Sequence, residues 1–260
     1  GTGILTVTAP NTSTDRTITL PDGTGTLIAD DGSGNVGIGV TPESWQSTWK
    51  MLQIADGASI GGRTNSGNME LCSNAYRDSV DSQWEYIGAN GSEEAAKYTQ
   101  FEGGHTFYIA PSGSADAAIS WTTAMTIDNN GYVTMPNQPC ASFGWSSHIS
   151  ADSVIPADLI RVNIGSHLNS SGRFTAPVAG TYWYGYVGMS QAADANLKVE
   201  LLKNGSVYEN DTRAYTHNVV YNQNSIFGFI TLSANDYLEF KPQNTTLHSN
   251  YGQISIKLVA

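Results

Sequence analysis

Apolar and polar positions alternate with period two along most of this chain, in short runs cut by Gly, Pro, Asn and Asp. That rhythm predicts strands joined by tight turns. Ile4-Leu5-Thr6-Val7 runs to Pro10, Arg16 to Leu20 stops at Pro21-Asp22-Gly23, and Asn35 to Val40 stops before Pro42. Between 43 and 135, strands are expected at Met69–Cys72, Trp84–Ile87, Thr106–Ile109 and Ala124–Ile127, with a short helix at Pro42–Ile54 and one helical turn at Glu93–Lys97. The densest series follows: Phe143–Trp145, Ile160–Ile164, Thr181–Met189, Leu197–Leu202, Ile226–Leu232, Tyr237–Phe240 and Ile254–Val259. Asn204-Gly205 is a strong hairpin signal.

Two runs have no polar face. In Arg173–Met189, Tyr182, Tyr184 and Tyr186 share one side while Trp183, Gly185 and Val187 take the other. In Ile226–Leu232, Phe227 and Phe229 oppose Ile226, Gly228, Ile230 and Leu232. A lone sandwich leaves one face of each strand in water, so two such strands in about 125 residues point to an interface between chains. Phe174, Tyr182, Trp183, Tyr184, Tyr186, Phe227 and Phe229 are therefore the expected core and chain-to-chain interface residues, with the division between the two open. The chain divides into a stalk at 1–42, a small β module at 43–135 and a head at 136–260. The stalk has few large apolar side chains and is expected to fold by intertwining with identical chains. Two internal echoes stand out: GTGILTV with GTGTLIA, and DGSGNVGIGVTP with DNNGYVTMPNQP.

Composition narrows the function. Charged residues are 13% and the net charge is -11, which repels phosphate backbones, and no basic cluster offsets it; nucleic acid is not an expected partner. No apolar run approaches the length of a membrane span. The start at Gly1, without Met or a leader-like segment, reads as the C-terminal fragment of a longer protein. Cys72 and Cys140 lack metal-ligand spacing and read as free thiols.

Residues 141–260 resemble the globular head of complement component 1q, within the tumour-necrosis-factor-like jelly-roll superfamily. The resemblance rests on Ala141-Ser-Phe143, Gly172 to Tyr184 with its Phe-Thr-Ala-Pro-x-x-Gly-x-Tyr pattern, Leu201-Leu-Lys-Asn-Gly205, Leu232–Phe240 and Ile254–Val259. It implies a ten-stranded jelly roll packed as a three-fold trimer. Ala234-Asn235-Asp236 departs from the usual Gly-Asp turn. The first half resembles tail fibres of tailed bacteriophages through TAPNTSTDRTITLPDGTGTLIA, GNVGIGVTP, SNAYRDSVDSQWEYIG, YTQFEGGHTFYIAPSG and AISWTTAMTIDNNGYV. That implies a virion protein made in a bacterial cytoplasm and acting outside cells, attached to an upstream part of the fibre or tail. The expected fold is all-β throughout.

No catalytic constellation emerges. Gly32-Ser-Gly34-Asn-Val-Gly37 fits a dinucleotide fingerprint, but a strand ending in Pro follows where a helix is needed. Asp30-Asp31, Asp78/Asp81 and Glu93-Glu94 are the closest carboxylates, and the chain is too short and irregular for the β-helix of a glycan-cleaving spike. The histidines His105, His148, His167, His217 and His248 are scattered, without HExxH or His-x-His. No cofactor or metal is expected; calcium, which jelly-roll relatives sometimes hold near the three-fold axis, finds no loop of EF-hand density here. Asn-x-Ser/Thr at Asn11, Asn90, Asn169, Asn204, Asn210 and Asn244 reads as turn chemistry.

Two loop regions carry the residues suited to sugars. Tyr208, Tyr215, His217 and Tyr221 lie among Asn, Asp and Thr, and His248 and Tyr251 lie in a second loop. Tyr and Asn give flat contact area at low entropy cost with adaptable hydrogen bonds. The expectation is a homotrimeric tip that binds a host cell-surface glycan or lipopolysaccharide without chemistry. The alternatives are a purely structural trimeriser and a glycan-cleaving tailspike.

Overall fold

The computed structural model describes residues 29–88, 93–191, 198–208, 213–215, 221–244 and 246–260. Residues 1–28 of the expected stalk lie outside them. The described residues are all-β, with no helix, and none is long and apolar enough to cross a membrane as a helix. The chain forms two units: 1–93 with 112–119, and 94–111 with 120–260.

In the first unit, β1 (Ala29–Asp30), β2 (Val36–Ile38), β3 (Trp49–Ile54), β4 (Ala58–Arg63) and β5 (Met69–Ser73) pair in sequence order, and β6 (Tyr76–Arg77) with β7 (Trp84–Glu85) form a separate ribbon. The expected helix at Pro42–Ile54 does not form: 42–48 is loop and turn, and Trp49–Ile54 is strand β3. Trp45 makes an isolated bridge to Asp78, and Trp49, Met51 and Gln53 point alternately inward along β3. Ring packing decides this: Trp84 meets Trp45 and Trp49 edge-on at centroid distances of 6.4 and 5.6 Å. Polar and apolar side chains mix across this sheet, whose covered side carries Trp49, Met51 and Cys72 as well as polar groups. Its covered side holds Gln53, Ser59 and Glu70, while Val36, Leu52, Ile60 and Leu71 form a cross-strand row on the open side, Leu71 being 50% exposed.

The second unit begins with a meander of β8 (Glu93–Phe101), β9 (Gly104–Gly113), β10 (Thr122–Ile127) and β11 (Val133–Thr134). The helical turn expected at Glu93–Lys97 is therefore the start of a strand. Tyr98 stacks on Phe107 at 4.8 Å, and the Lys97 ammonium sits over the rings of Tyr108 and Trp121. The two Asp-led echoes fold alike. Asp31 Oδ1 accepts the amides of Ser33 and Asn35, and Asp128 Oδ1 accepts those of Asn130 and Tyr132, each closing a hairpin. Hydrogen bonds led by the Tyr132 amide hold the Asp128 carboxyl below the usual carboxylate range. The Gly32–Gly37 motif is thus a turn that runs into strand β2.

Ten strands follow as two five-stranded sheets, a jelly-roll sandwich. One sheet has the order β13 (Leu159–Ile164), β12 (Cys140–Gly144), β21 (Gln253–Leu258), β15 (Gly180–Met189) and β19 (Gln223–Leu232). The other joins β14 (Phe174–Thr175), β20 (Tyr237–Gln243), β16 (Lys198–Lys203) and β17 (Ser206–Val207), with β18 (Arg213–Tyr215) also paired to β16. Between them lies a core of Phe143, Trp145, Phe174, Tyr182, Tyr184, Tyr186, Leu201, Leu238 and Phe240 among others. Burial pushes the phenols of Tyr182, Tyr184 and Tyr186 up from their usual range. Cys72 and Cys140 carry free thiols.

Asn204 and Gly205 both have positive φ, 53° and 79°, as a two-residue hairpin turn requires. The Ala234-Asn235-Asp236 departure is accommodated by Asn235, whose φ of 71° takes the left-handed conformation that Gly would otherwise supply. Asp236 then joins both turns. It accepts Asn204 Nδ2 at 2.7 Å and the Ser233 amide at 2.8 Å, with Lys203 Nζ at 3.1 Å. Led by the Asn204 bond, these contacts lower its pKa from 3.8 to about 2. A depressed carboxylate stabilises the fold above its unfolded pKa and loses that contribution as pH falls through the folded one. Asp236→Asn is accordingly expected to cost about 1 kcal/mol at neutral pH. Thermal melts from pH 7 down to about 2 should show that deficit shrinking below pH 4; a constant deficit would show that the charge plays no part.

Candidate binding and self-association surfaces

The sandwich has two unlike outer faces. That of the β14–β20–β16–β17 sheet carries ion pairs: Arg173 with Glu239 at 2.8 Å, and Glu200 with Lys198 at 2.5 Å and Lys241 at 3.8 Å. The other outer face is nearly uncharged. Strand register sets Ile164, Cys140, Lys257, Trp183 and Phe229 in one row across its five strands. Val162, Ser142, Ser255, Gly185 and Phe227 form the next row. Phe227 and Phe229 are 72% and 63% exposed. Shallow hollows of about 370 and 620 Å³ flank Trp183 on this face.

The sequence left open which side of β15 faces the core. The structure places Tyr182, Tyr184 and Tyr186 inward, together with Phe174, and puts Trp183, Phe227 and Phe229 on the open face. The inward rings interlock, Tyr186 stacking between Trp145 at 6.2 Å and Phe240 at 6.1 Å.

At one end of the sandwich, three of the expected sugar-contact residues come together. The His248 ring lies 5.6 Å from Tyr221 and 4.8 Å from Tyr251, edge-on to both rings or nearly so. His148, not singled out from the sequence as a contact residue, completes the cluster at 4.9 Å from His248. The Ser249 peptide bridges the histidines. Its amide donates to His148 Nδ1 at 3.1 Å, and its carbonyl accepts from His248 Nδ1 at 2.8 Å. His148 Nδ1 thus acts as an acceptor and His248 Nδ1 as a donor. Behind the cluster, Trp145 Nε1 donates to the His248 carbonyl at 2.8 Å, and the Asn250 amide donates to the Trp145 carbonyl at 2.9 Å. Tyr221 and Tyr251 are 56% and 57% exposed. Their rings form an open aromatic rim, an arrangement suited to stacking.

The remaining expected contact residues lie elsewhere or are not described. Tyr208 packs half-buried against the jelly-roll core. Tyr215 belongs to β18 by its backbone pairing with Lys198; its side chain and all of His217 fall outside the described residues. Asp78, Asp81 and Glu85 bring their carboxylates close together in the first unit. Asp78 is occupied by the amides of Val80 and Asp81, and Glu85 by Tyr76 Oη.

Residues 142–256 match the family model described as the C1q domain. This stretch is a C1q-like jelly roll. The resemblance read from 141–260 is thus borne out at the level of the head. Among solved structures, the globular domain of zebrafish complement 1qA protein is 15% identical, covering 47% of this chain and 98% of that one at a TM-score of 0.39. Eiger TNF from S. frugiperda is 14% identical over 48% of this chain and 94% of its own, with a TM-score of 0.39. Murine APRIL is 14% identical over 46% and 98%, with a TM-score of 0.36. No curated protein matches the chain.

Proposed function

We propose that this chain is the distal part of a homotrimeric bacteriophage tail fibre, whose C1q/TNF-like head binds a cell-surface glycan without cleaving it. The observation that carries the reading is the contrast between the two outer faces of the head. The ion-paired face suits water, whereas the face with Trp183, Phe227 and Phe229 exposes large apolar side chains in a continuous band. Three copies meeting through that band would bury it around a three-fold axis. The open apolar row of the first unit is a second surface of the same kind. In functional terms, 1–42 serves as stalk, 43–135 as connecting module and 136–260 as head, joined upstream to the rest of the fibre on the virion.

The ring cluster of His148, Tyr221, His248 and Tyr251 is the contact site. Three copies in one trimer act together, so weak single contacts add up to firm attachment. Two measurements test this. Light scattering should give a mass about three times that of one chain, and labelled protein should bind host bacteria. Replacing His248 and Tyr251 together with Ala should leave the trimer mass unchanged and weaken cell binding at least about tenfold. A monomeric wild-type protein would defeat the fibre reading; intact trimers that bind no cells would leave a structural trimeriser.

A further inference from the structure

Beside the ring cluster, and sharing Tyr251 with it, runs a groove of about 320 Å³ whose chemistry is more specific. Its polar walls are Arg161, Gln223, Asn250, Tyr251 and Gln253, and Val187 and Met189 add apolar lining. Among the described residues, no carboxylate lines it. Arg161 owes its place to an irregularity in the sheet. Ser142 pairs with Val162 but Phe143 pairs with Ile160, so Arg161 is the extra residue of a β-bulge. Bulges re-aim the side chain they carry. The guanidinium lies beside the bare backbone of Gly144, where a Cβ would come within 2.9 Å of both Arg161 Nη1 and the Gly252 carbonyl.

Four other cations of the head, Arg173, Lys198, Lys203 and Lys241, sit in ion pairs with Glu239, Glu200 or Asp236. Arg161 has no such partner among the described residues, in a chain with 23 acidic and 12 basic side chains. An exposed guanidinium left unpaired amid that acidic excess, next to an aromatic rim and three carboxamides, is suited to an incoming oxyanion. A carboxylate fits better than a phosphate. One Arg matches a single negative charge bidentately, whereas a phosphate monoester carries about -1.5 to -2 and, among the described residues, no second cation lines the groove. The carboxamides of Gln223 and Asn250 can both donate and accept, and Gln253, whose Nε2 already donates to Ser142 Oγ and Ser255 Oγ, offers its oxygen, which together match sugar hydroxyls.

We propose that this groove binds the carboxylate of an acidic sugar, such as a uronic or sialic acid residue, in a surface glycan. Arg161 grips the two oxygens, Tyr251 stacks on the sugar face, and the three amides hold the ring hydroxyls. The net charge of -11 does not prevent this. At physiological salt, charges more than about 8 Å away are largely screened, while a direct contact is not. This inference rests on the glycan-binding reading of the head, and its test separates the two.

Titration calorimetry of the full chain would use galacturonate, glucuronate and sialylated oligosaccharides, each beside its carboxyl-reduced counterpart. At least one acidic probe should bind about tenfold or more tightly than its reduced form. Arg161→Gln should abolish that difference, with Arg161→Lys recovering part of it, and Tyr251→Ala should weaken both forms. Because Arg161 is exposed and unpaired, unchanged mass and melting temperature are expected for its variants. Equal affinity for acidic and reduced forms, no binding of any acidic probe, or an unaffected Arg161→Gln variant would each overturn the proposal. Cell binding that persists in Arg161→Gln leaves the binding-head reading standing; loss of all cell binding in the wild type removes that reading as well.

Discussion

Replacing Phe227 and Phe229 together with Asp is expected to turn the proposed trimer into a folded monomer of 27.8 kDa. Both rings point away from the core, pairing across from Gly185 and Trp183 on the open face of the head. Burying a large apolar side chain is worth about 1.5–3 kcal/mol, and each trimer would lose six such rings. Aspartates at the same positions would also bring like charges together around the axis, at a place where Lys257 is the nearest cation in the row. The sandwich itself should keep its melting behaviour, because no core contact is removed. Light scattering with near-ultraviolet circular dichroism reads both results. Trimers that survive the double substitution would place the interface elsewhere.

The opposite outcome is expected on the other side of the neighbouring strand. Tyr184→Asp should yield no soluble folded protein. Tyr184 is 5% exposed, lies between Ile256 and Gly228 in the sheet register, and packs its ring 6.4 Å from that of Phe240. A carboxylate there would be buried among apolar groups without a partner, at a cost of several kcal/mol. Domains of this kind have only about 5–15 kcal/mol in total. Tyr184→Phe is the control: it keeps the ring and should change stability by less than about 1 kcal/mol. Soluble expression and circular dichroism decide the matter, and a folded Asp variant would contradict the packing of this core.

These two substitutions sit two strand positions apart in character yet look alike in sequence, which shows where sequence reasoning stopped. Period-two runs, the Asn204-Gly205 turn and the Phe174-Thr-Ala-Pro177 signature sufficed for ten strands in a jelly roll. The side of β15 that faces inward was not legible, because Tyr182, Tyr184 and Tyr186 compete with Trp183 and Val187 on nearly equal apolar terms. Only the partner sheet, with its own ion-paired exterior, breaks the tie. Pro42–Ile54 misled for a related reason. Two tryptophans four positions apart suit a helix face, but here both are drawn to Trp84, a contact no local window contains. Tyr221, His248 and Tyr251 were legible by residue type alone. His148 and Arg161 were not, since one depends on a peptide bridge from a distant loop and the other on a bulge.

Trp145 gives the ring cluster a property that follows from its position. Its indole is fully buried, stacks on Tyr186 in the sandwich interior, and hydrogen-bonds the carbonyl of His248 in the rim. Gly252 makes this possible, since a Cβ there would fall 1.9 Å from the indole ring. The loop that carries His248 to Tyr251 is therefore fastened to the interior at its base, and its backbone cannot rearrange without disturbing the largest fully buried side chain of the head. A partner meeting this rim encounters a shape already set. Little conformational freedom remains to be lost on contact, so even a small, shallow footprint can retain most of its gross interaction energy as affinity.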